Sequence, residues 1–202
     1  MNRRQFLFSL SALALAAGLP GGLAWAQAAA PAEHVLGSPD APVTIIEYAS
    51  LTCPHCAAFH AETLPTLKKE WIEPGKAKLI FKHFPLDRLA LRAATVANCM
   101  PNDKAFFAFM DLLFSQQRQW ATASDPDAAL RRLAAMAGLP DDRYAACASN
   151  EEQQQAILKG MQEAGENLGV NSTPTFFVNG RKINGAAPYE KFNEVLTEAA
   201  GS

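Results

Sequence analysis

The tetrapeptide Cys53-Pro54-His55-Cys56 constrains the fold of this chain more than any other feature. It follows at once on Val43-Thr44-Ile45-Ile46-Glu47-Tyr48-Ala49, a β-branched run of strand length. After it, Ala57 to Trp71 reads as a helix interrupted or kinked at Pro65, Pro74-Gly75 as a turn, and Lys78 to Phe84 as a second strand closed by Pro85. Strand, helix and strand in that order make a βαβ unit, which implies a parallel pair. The two cysteines therefore stand where a strand turns into a helix. Unpaired N–H groups and the positive end of the helix dipole stabilise an anion at that place, here the thiolate of Cys53. A depressed thiol pKa makes Cys53 a good nucleophile and a good leaving group, and His55 can add a donor or partial positive charge. Cys56, one turn further in, is expected to be less exposed and to act as the resolving thiol.

A C-x-x-C pair also serves haem attachment and zinc binding. Haem attachment needs His directly after the second Cys, where Ala57 stands. A metal-binding or chaperone module is the rival of a different class: Cys53, Cys56 and His60 could supply three metal ligands, but a structural zinc site needs a fourth, and the sequence holds no second C-x-x-C or His pair at finger spacing. Composition narrows the classes further. The 202 residues carry a net charge of −2 with no basic stripe, so there is no electrostatic footprint for nucleic acid. Hydrophobic residues at 49% and charged residues at 19% fit a globular chain, not a disordered one. Four cysteines are too few for a disulfide scaffold.

Residues 1–28 read as a signal peptide, with Arg3-Arg4 ahead of an apolar run and two A-x-A patterns over residues 24–28. Arg3-Arg4-Gln5-Phe6-Leu7 also resembles the twin-arginine signature, which leaves the export route open between the two systems. Residues 29–42, with three prolines, read as a leader. Residues 43–87 form the first part of a sheet domain. Residues 88–169 are helical in pattern: Arg88–Met100, Lys104–Trp120, a helix capped at Asp125-Pro126 and ended at Gly138, Asp141–Ala148, and one opened by a capping box at Ser149-Asn150-Glu151-Glu152 and ended near Gly169. Residues 170–202 return to strand character in a hairpin, Thr175 to Val178, Asn179-Gly180, and Arg181 to Ile183, before a final helix from Pro188 to Leu196.

A strand–CPHC–helix unit, a helical insertion, a Thr173-Pro174-Thr175 strand entry and a terminal hairpin together resemble the DsbA family of thioredoxin-fold disulfide oxidoreductases. The likeness covers about residues 40–198, and CPHC is the choice usual in that family, where thioredoxins usually carry CGPC. It implies an α/β, thioredoxin-like fold with an inserted all-helical domain. It also implies a periplasmic thiol:disulfide oxidoreductase that gives its Cys53–Cys56 disulfide to reduced secreted proteins. A DsbB-type membrane partner would reoxidise it, and no cofactor or metal is required. Thr173 and Pro174 match the family's cis-proline loop beside the disulfide. Glu47 matches the acid under the active site, a proton carrier for Cys56; the alternative is a solvated strand glutamate. Lys78 and Lys82 are both candidates for that acid's lysine partner. Thr173 departs from the usual oxidase valine and matches dimeric isomerases, so an isomerase or reductase is the nearest rival. The segment before the first strand is too short for a dimerisation domain, which points to a monomer. Cys99 and Cys147 would pair in an oxidising compartment, as in some DsbA-like proteins, closing a loop that contributes about 3–5 kcal/mol; the alternative is two buried free thiols.

Overall fold

The structure, a computed structural model, describes residues 33–201. The signal-peptide reading of residues 1–28 lies outside them. Strand β2, Val43–Ala49, is the centre of a five-stranded sheet. Its β-branched and aromatic residues suit a strand buried on both faces, and Val43, Ile45 and Glu47 have no exposed surface. β3, Ala77–His83, lies parallel to it, with Glu47 opposite Phe81 and Tyr48 opposite Lys82. β4, Thr175–Val178, pairs antiparallel with the other side of β2, and β5, Arg181–Asn184, returns along β4 through the Asn179-Gly180 turn. Both turn residues take positive φ, as this tight hairpin requires.

Residues 29–42 are not a bare leader. His34–Leu36 forms a strand, β1, antiparallel to the outer edge of β3, giving the sheet order β1-β3-β2-β4-β5. Three residues between prolines carry too little periodicity to announce a strand; the free edge of β3 makes this one.

The helix after Cys53, α1, runs unbroken over residues 54–72. It passes Pro65 by widening into a π turn over Phe59–Thr63, where Leu64 N–H reaches the Phe59 carbonyl five residues back. The wide turn takes up the donor that Pro65 lacks. α1 packs on one sheet face with α8, Tyr189–Ala200, through the Phe59, Phe176 and Phe192 rings, whose centroids lie 4.4–5.4 Å apart.

Between β3 and β4 the described residues form six helices: α2 Arg88–Ala97, α3 Asp103–Ser115, α4 Gln117–Ala121, α5 Pro126–Met136, α6 Asp141–Ala148 and α7 Glu151–Leu168. Asp87, Asn102, Asp125 and Asn150 cap α2, α3, α5 and α7, each accepting a backbone N–H three residues on. The α7 cap is thus Asn150, one residue beyond the expected Ser149. The single helix expected over Lys104–Trp120 breaks at Gln116, and the break turns Gln117 inward, where it is 8% exposed. α7 covers the second sheet face, with Ala164 and Met161 against Tyr48, Ile46 and Phe177. The other helices share one continuous core with the sheet, from Ile45 and Phe59 through Phe106 and Met110 to Trp120 and Tyr144. Cys99 and Cys147 form a disulfide that ties the end of α2 to α6.

Candidate active site

The turn from β2 into α1 presents Cys53 as the residue capping the helix. Its extended backbone (φ −79°, ψ 120°) starts the helix by accepting the Ala57 N–H, and Pro54 takes the first helical position, where no N–H is needed. Cys53 and Cys56 are both free thiols, 6% and 0% exposed. Their environments are opposed. The Cys56 thiol hydrogen-bonds to the Cys53 sulfur and is the largest influence holding the Cys53 pKa down, to about 5 from an ordinary 9.0. Burial works against this, and the Thr173 side chain and the backbone N–H groups of Cys56 and His55 assist it. Cys56 is pushed far the other way, first by burial, then by its bond to Cys53 and by the negative charge of Glu47. One sulfur is a stable thiolate at neutral pH; the other holds its proton.

Thr173 and Pro174 arrive from 120 residues away, through a cis peptide bond at the start of β4. The Cys53 Sγ stands 3.3 Å from the Thr173 carbonyl oxygen, to which it donates in its protonated form. The Thr173 hydroxyl is buried without a nitrogen or oxygen partner. His55 lies exposed on the first turn, and its backbone N–H is one of the donors to Cys53.

Glu47 is wholly buried beneath this turn, so the solvated alternative does not apply. Its partner is neither lysine. Lys78 Nζ donates to the Pro39 carbonyl and Lys82 Nζ pairs with Glu33. In the β2–β3 register both lie beside residues of the opposite strand parity, Thr44 and Tyr48. His60 takes the place instead: its Nε2 stands 3.0 and 3.2 Å from the two Glu47 oxygens. Among the described residues no group of three or more His, Cys, Asp or Glu is arranged to hold a metal ion.

Three further side chains, invisible to motif reading, hold the loop. Gln117 Nε2 donates to the Leu51 and Cys53 carbonyls, both at 2.9 Å. Thr52 Oγ1 donates to Asp87 at 2.6 Å, while Ser50 Oγ accepts the Leu86 N–H. Residues between β3 and β4 thereby set the backbone of the reactive turn. A glutamine at the foot of a predicted helix carries no motif, and only the break at Gln116 gives it this task.

The geometry has counterparts. A family profile described as Thioredoxin matches residues 29–198. The crystal structure of Wolbachia pipientis α-DsbA1 superposes with a TM-score of 0.79 at 33% identity, covering 85% of this chain and 92% of that one. Oxidised BdbD of Bacillus subtilis shares the fold at a TM-score of 0.76 and 23% identity, over 84% of this chain and 94% of its own. A Rickettsia prowazekii protein provisionally named a protein-disulfide oxidoreductase is 30% identical over 148 residues, 73% of this chain and 54% of the relative. The chain thus spans about half the length of the Rickettsia relatives it matches.

Proposed function

This chain belongs to the DsbA-like disulfide oxidoreductases of the thioredoxin family, and on that premise we propose that it is an exported oxidase passing its Cys53–Cys56 disulfide to reduced secreted proteins. The observation that carries the reading is the contrast between the two sulfurs. A disulfide whose reduced form is stabilised by a thiolate is a strong oxidant, because reducing it is favourable.

In the oxidised protein a substrate thiolate attacks Cys53 Sγ. The S–S bond breaks, Cys56 leaves with the electron pair, and a mixed disulfide remains on Cys53. A second substrate thiolate then attacks the substrate sulfur, and Cys53 departs as the thiolate its surroundings favour. The substrate loses two electrons and the Cys53/Cys56 pair gains them. Cys56 needs a proton when it leaves, and Glu47, whose charge acts on it, is the carrier that the family resemblance implies. Thr173 and Pro174 line the approach to Cys53, with Pro54 and His55 on its exposed side.

We assign residues 43–87 and 170–202 to the thioredoxin-like unit and 88–169 to its helical insertion, with Cys99–Cys147 as the structural disulfide of that insertion. The place of action is the periplasm, on the strength of the signal-like residues 1–28. Among the described residues no helix is long and apolar enough to cross a membrane. A DsbB-type membrane protein returns the pair to the disulfide, and the protein acts as a monomer. Trapping in cells with a Cys56→Ala variant tests the function: secreted proteins should accumulate in mixed disulfide with Cys53. If none does, the oxidase reading fails.

A further inference from the structure

A carboxylate sealed from water needs a partner, because an uncompensated buried charge costs several kcal/mol. Glu47 has no exposed surface, and the side chain of His60 that meets it is 3% exposed. The imidazole reaches both carboxylate oxygens through Nε2 alone, while Nδ1 is buried without any partner. Around the ring stand Phe114 from α3, stacked at 4.0 Å, Phe59 from its own helix and Phe81 from β3, none of which can exchange a proton. Cys56 lies one turn earlier on α1, and the Glu47 charge acts on its sulfur. Glu47 thus acts on one group that must gain and lose a proton in each cycle.

Building on the oxidase reading, we propose that His60 and Glu47 form a single proton store for Cys56, sharing one proton between imidazole and carboxylate. When the Cys53–Cys56 bond is broken by a substrate thiolate, Cys56 departs as a thiolate and takes that proton. The loaded pair carries no net charge, as imidazolium with carboxylate or as imidazole with carboxylic acid. After transfer it carries one negative charge, held on a carboxylate that accepts the Nε2–H of neutral imidazole. On reoxidation the Cys56 thiol returns the proton as its sulfur attacks the disulfide formed between Cys53 and the reoxidant. A carboxylic acid alone would be left bare after the first step; His60 keeps a donor against it.

The test compares His60→Gln, Glu47→Gln and the double variant, each oxidised and mixed with a reduced cysteine peptide, by stopped flow between pH 5 and 8. Glutamine at position 60 can still donate to Glu47 but cannot take up a proton, so a packing role is rescued and a proton role is not. We expect His60→Gln to slow exchange about tenfold to a hundredfold at pH 7 and to flatten its pH dependence. The double variant should be no slower than either single one. Exchange within twofold of wild type in His60→Gln, or losses that multiply in the double variant, overturns the proposal. Should His60→Gln not fold, nitrogen NMR of the wild-type His60 ring decides. Its titration should differ between oxidised and reduced protein, and identical curves overturn the store. Wild-type protein that exchanges no thiols fails the oxidase reading instead, and the ring titration then judges the pair by itself.

Discussion

Replacing Cys56 with alanine isolates what holds the Cys53 thiolate. The Cys56 thiol is the largest contributor to its low pKa, ahead of the Thr173 side chain and the backbone N–H groups of Cys56 and His55. A hydrogen bond to a charged group is worth about 1.5–3 kcal/mol, and each pKa unit about 1.4 kcal/mol, so losing it should raise Cys53 by about 1–2 units. The midpoint then moves from about 5 to about 6–7. It stays below the ordinary thiol range, because the backbone N–H groups survive the substitution. At pH 6 the thiolate fraction falls from about nine-tenths to between about a tenth and a half. Thiolate absorbance in the ultraviolet, with iodoacetamide alkylation read by mass, follows this across pH 4–10. Reduced wild type should show one early titration, since Cys56 is pushed above the accessible range by burial. A variant midpoint unchanged from wild type, or a wild-type midpoint near 9, refutes the assigned cause.

Three other outcomes follow from the same contacts. Gln117→Leu removes both donors to the reactive turn and orphans the Leu51 carbonyl, so urea unfolding should show a loss of about 1–3 kcal/mol, with a raised Cys53 midpoint in the same titration. Replacing both Cys99 and Cys147 with alanine releases a loop of 48 residues, which should lower stability by about 3–5 kcal/mol in denaturant melts while leaving the Cys53 midpoint in place. The depressed Cys53 pKa stabilises the reduced fold as pH rises above about 5 and reaches its full effect only above the unfolded value of 9.0. Unfolding curves of reduced and oxidised protein should therefore diverge between pH 5 and pH 7, with the reduced form gaining about 2 kcal/mol relative to the oxidised.

Much of this architecture is legible in the chain because its central strands are unusually plain. Val43 to Ala49 is rich in β-branched residues, Lys78 to Phe84 alternates Leu79, Phe81 and bulky neighbours at strand length, and Asn179-Gly180 allows few structures other than a tight hairpin. The cysteine pair is legible because it stands where a strand turns into a helix, a place that favours a thiolate. What stays hidden depends on partners distant in sequence. β1 exists because β3 has a free edge, and the π turn exists because α1 must pass Pro65 and still cover the sheet. The family resemblance points to a lysine of β3 as the partner of Glu47, although strand parity places Lys78 and Lys82 beside Thr44 and Tyr48. His60 was legible only as a possible metal ligand, because its spacing from Cys56 says nothing of the strand beneath. Gln117 had no signal at all: its meaning comes from a helix break that packing imposes.

The reduction potential of the Cys53/Cys56 pair at pH 7 bears most directly on the account. Holding Cys53 at about 5 rather than 9.0 favours the reduced form by about 3 kcal/mol at pH 7, which raises the potential of this two-electron couple by about 60 mV. Equilibration with glutathione redox buffers, read by alkylation and mass, should give a value more oxidising than about −200 mV. A potential near that of thioredoxin, about −270 mV, would contradict an oxidase and turn the molecule into a reductant.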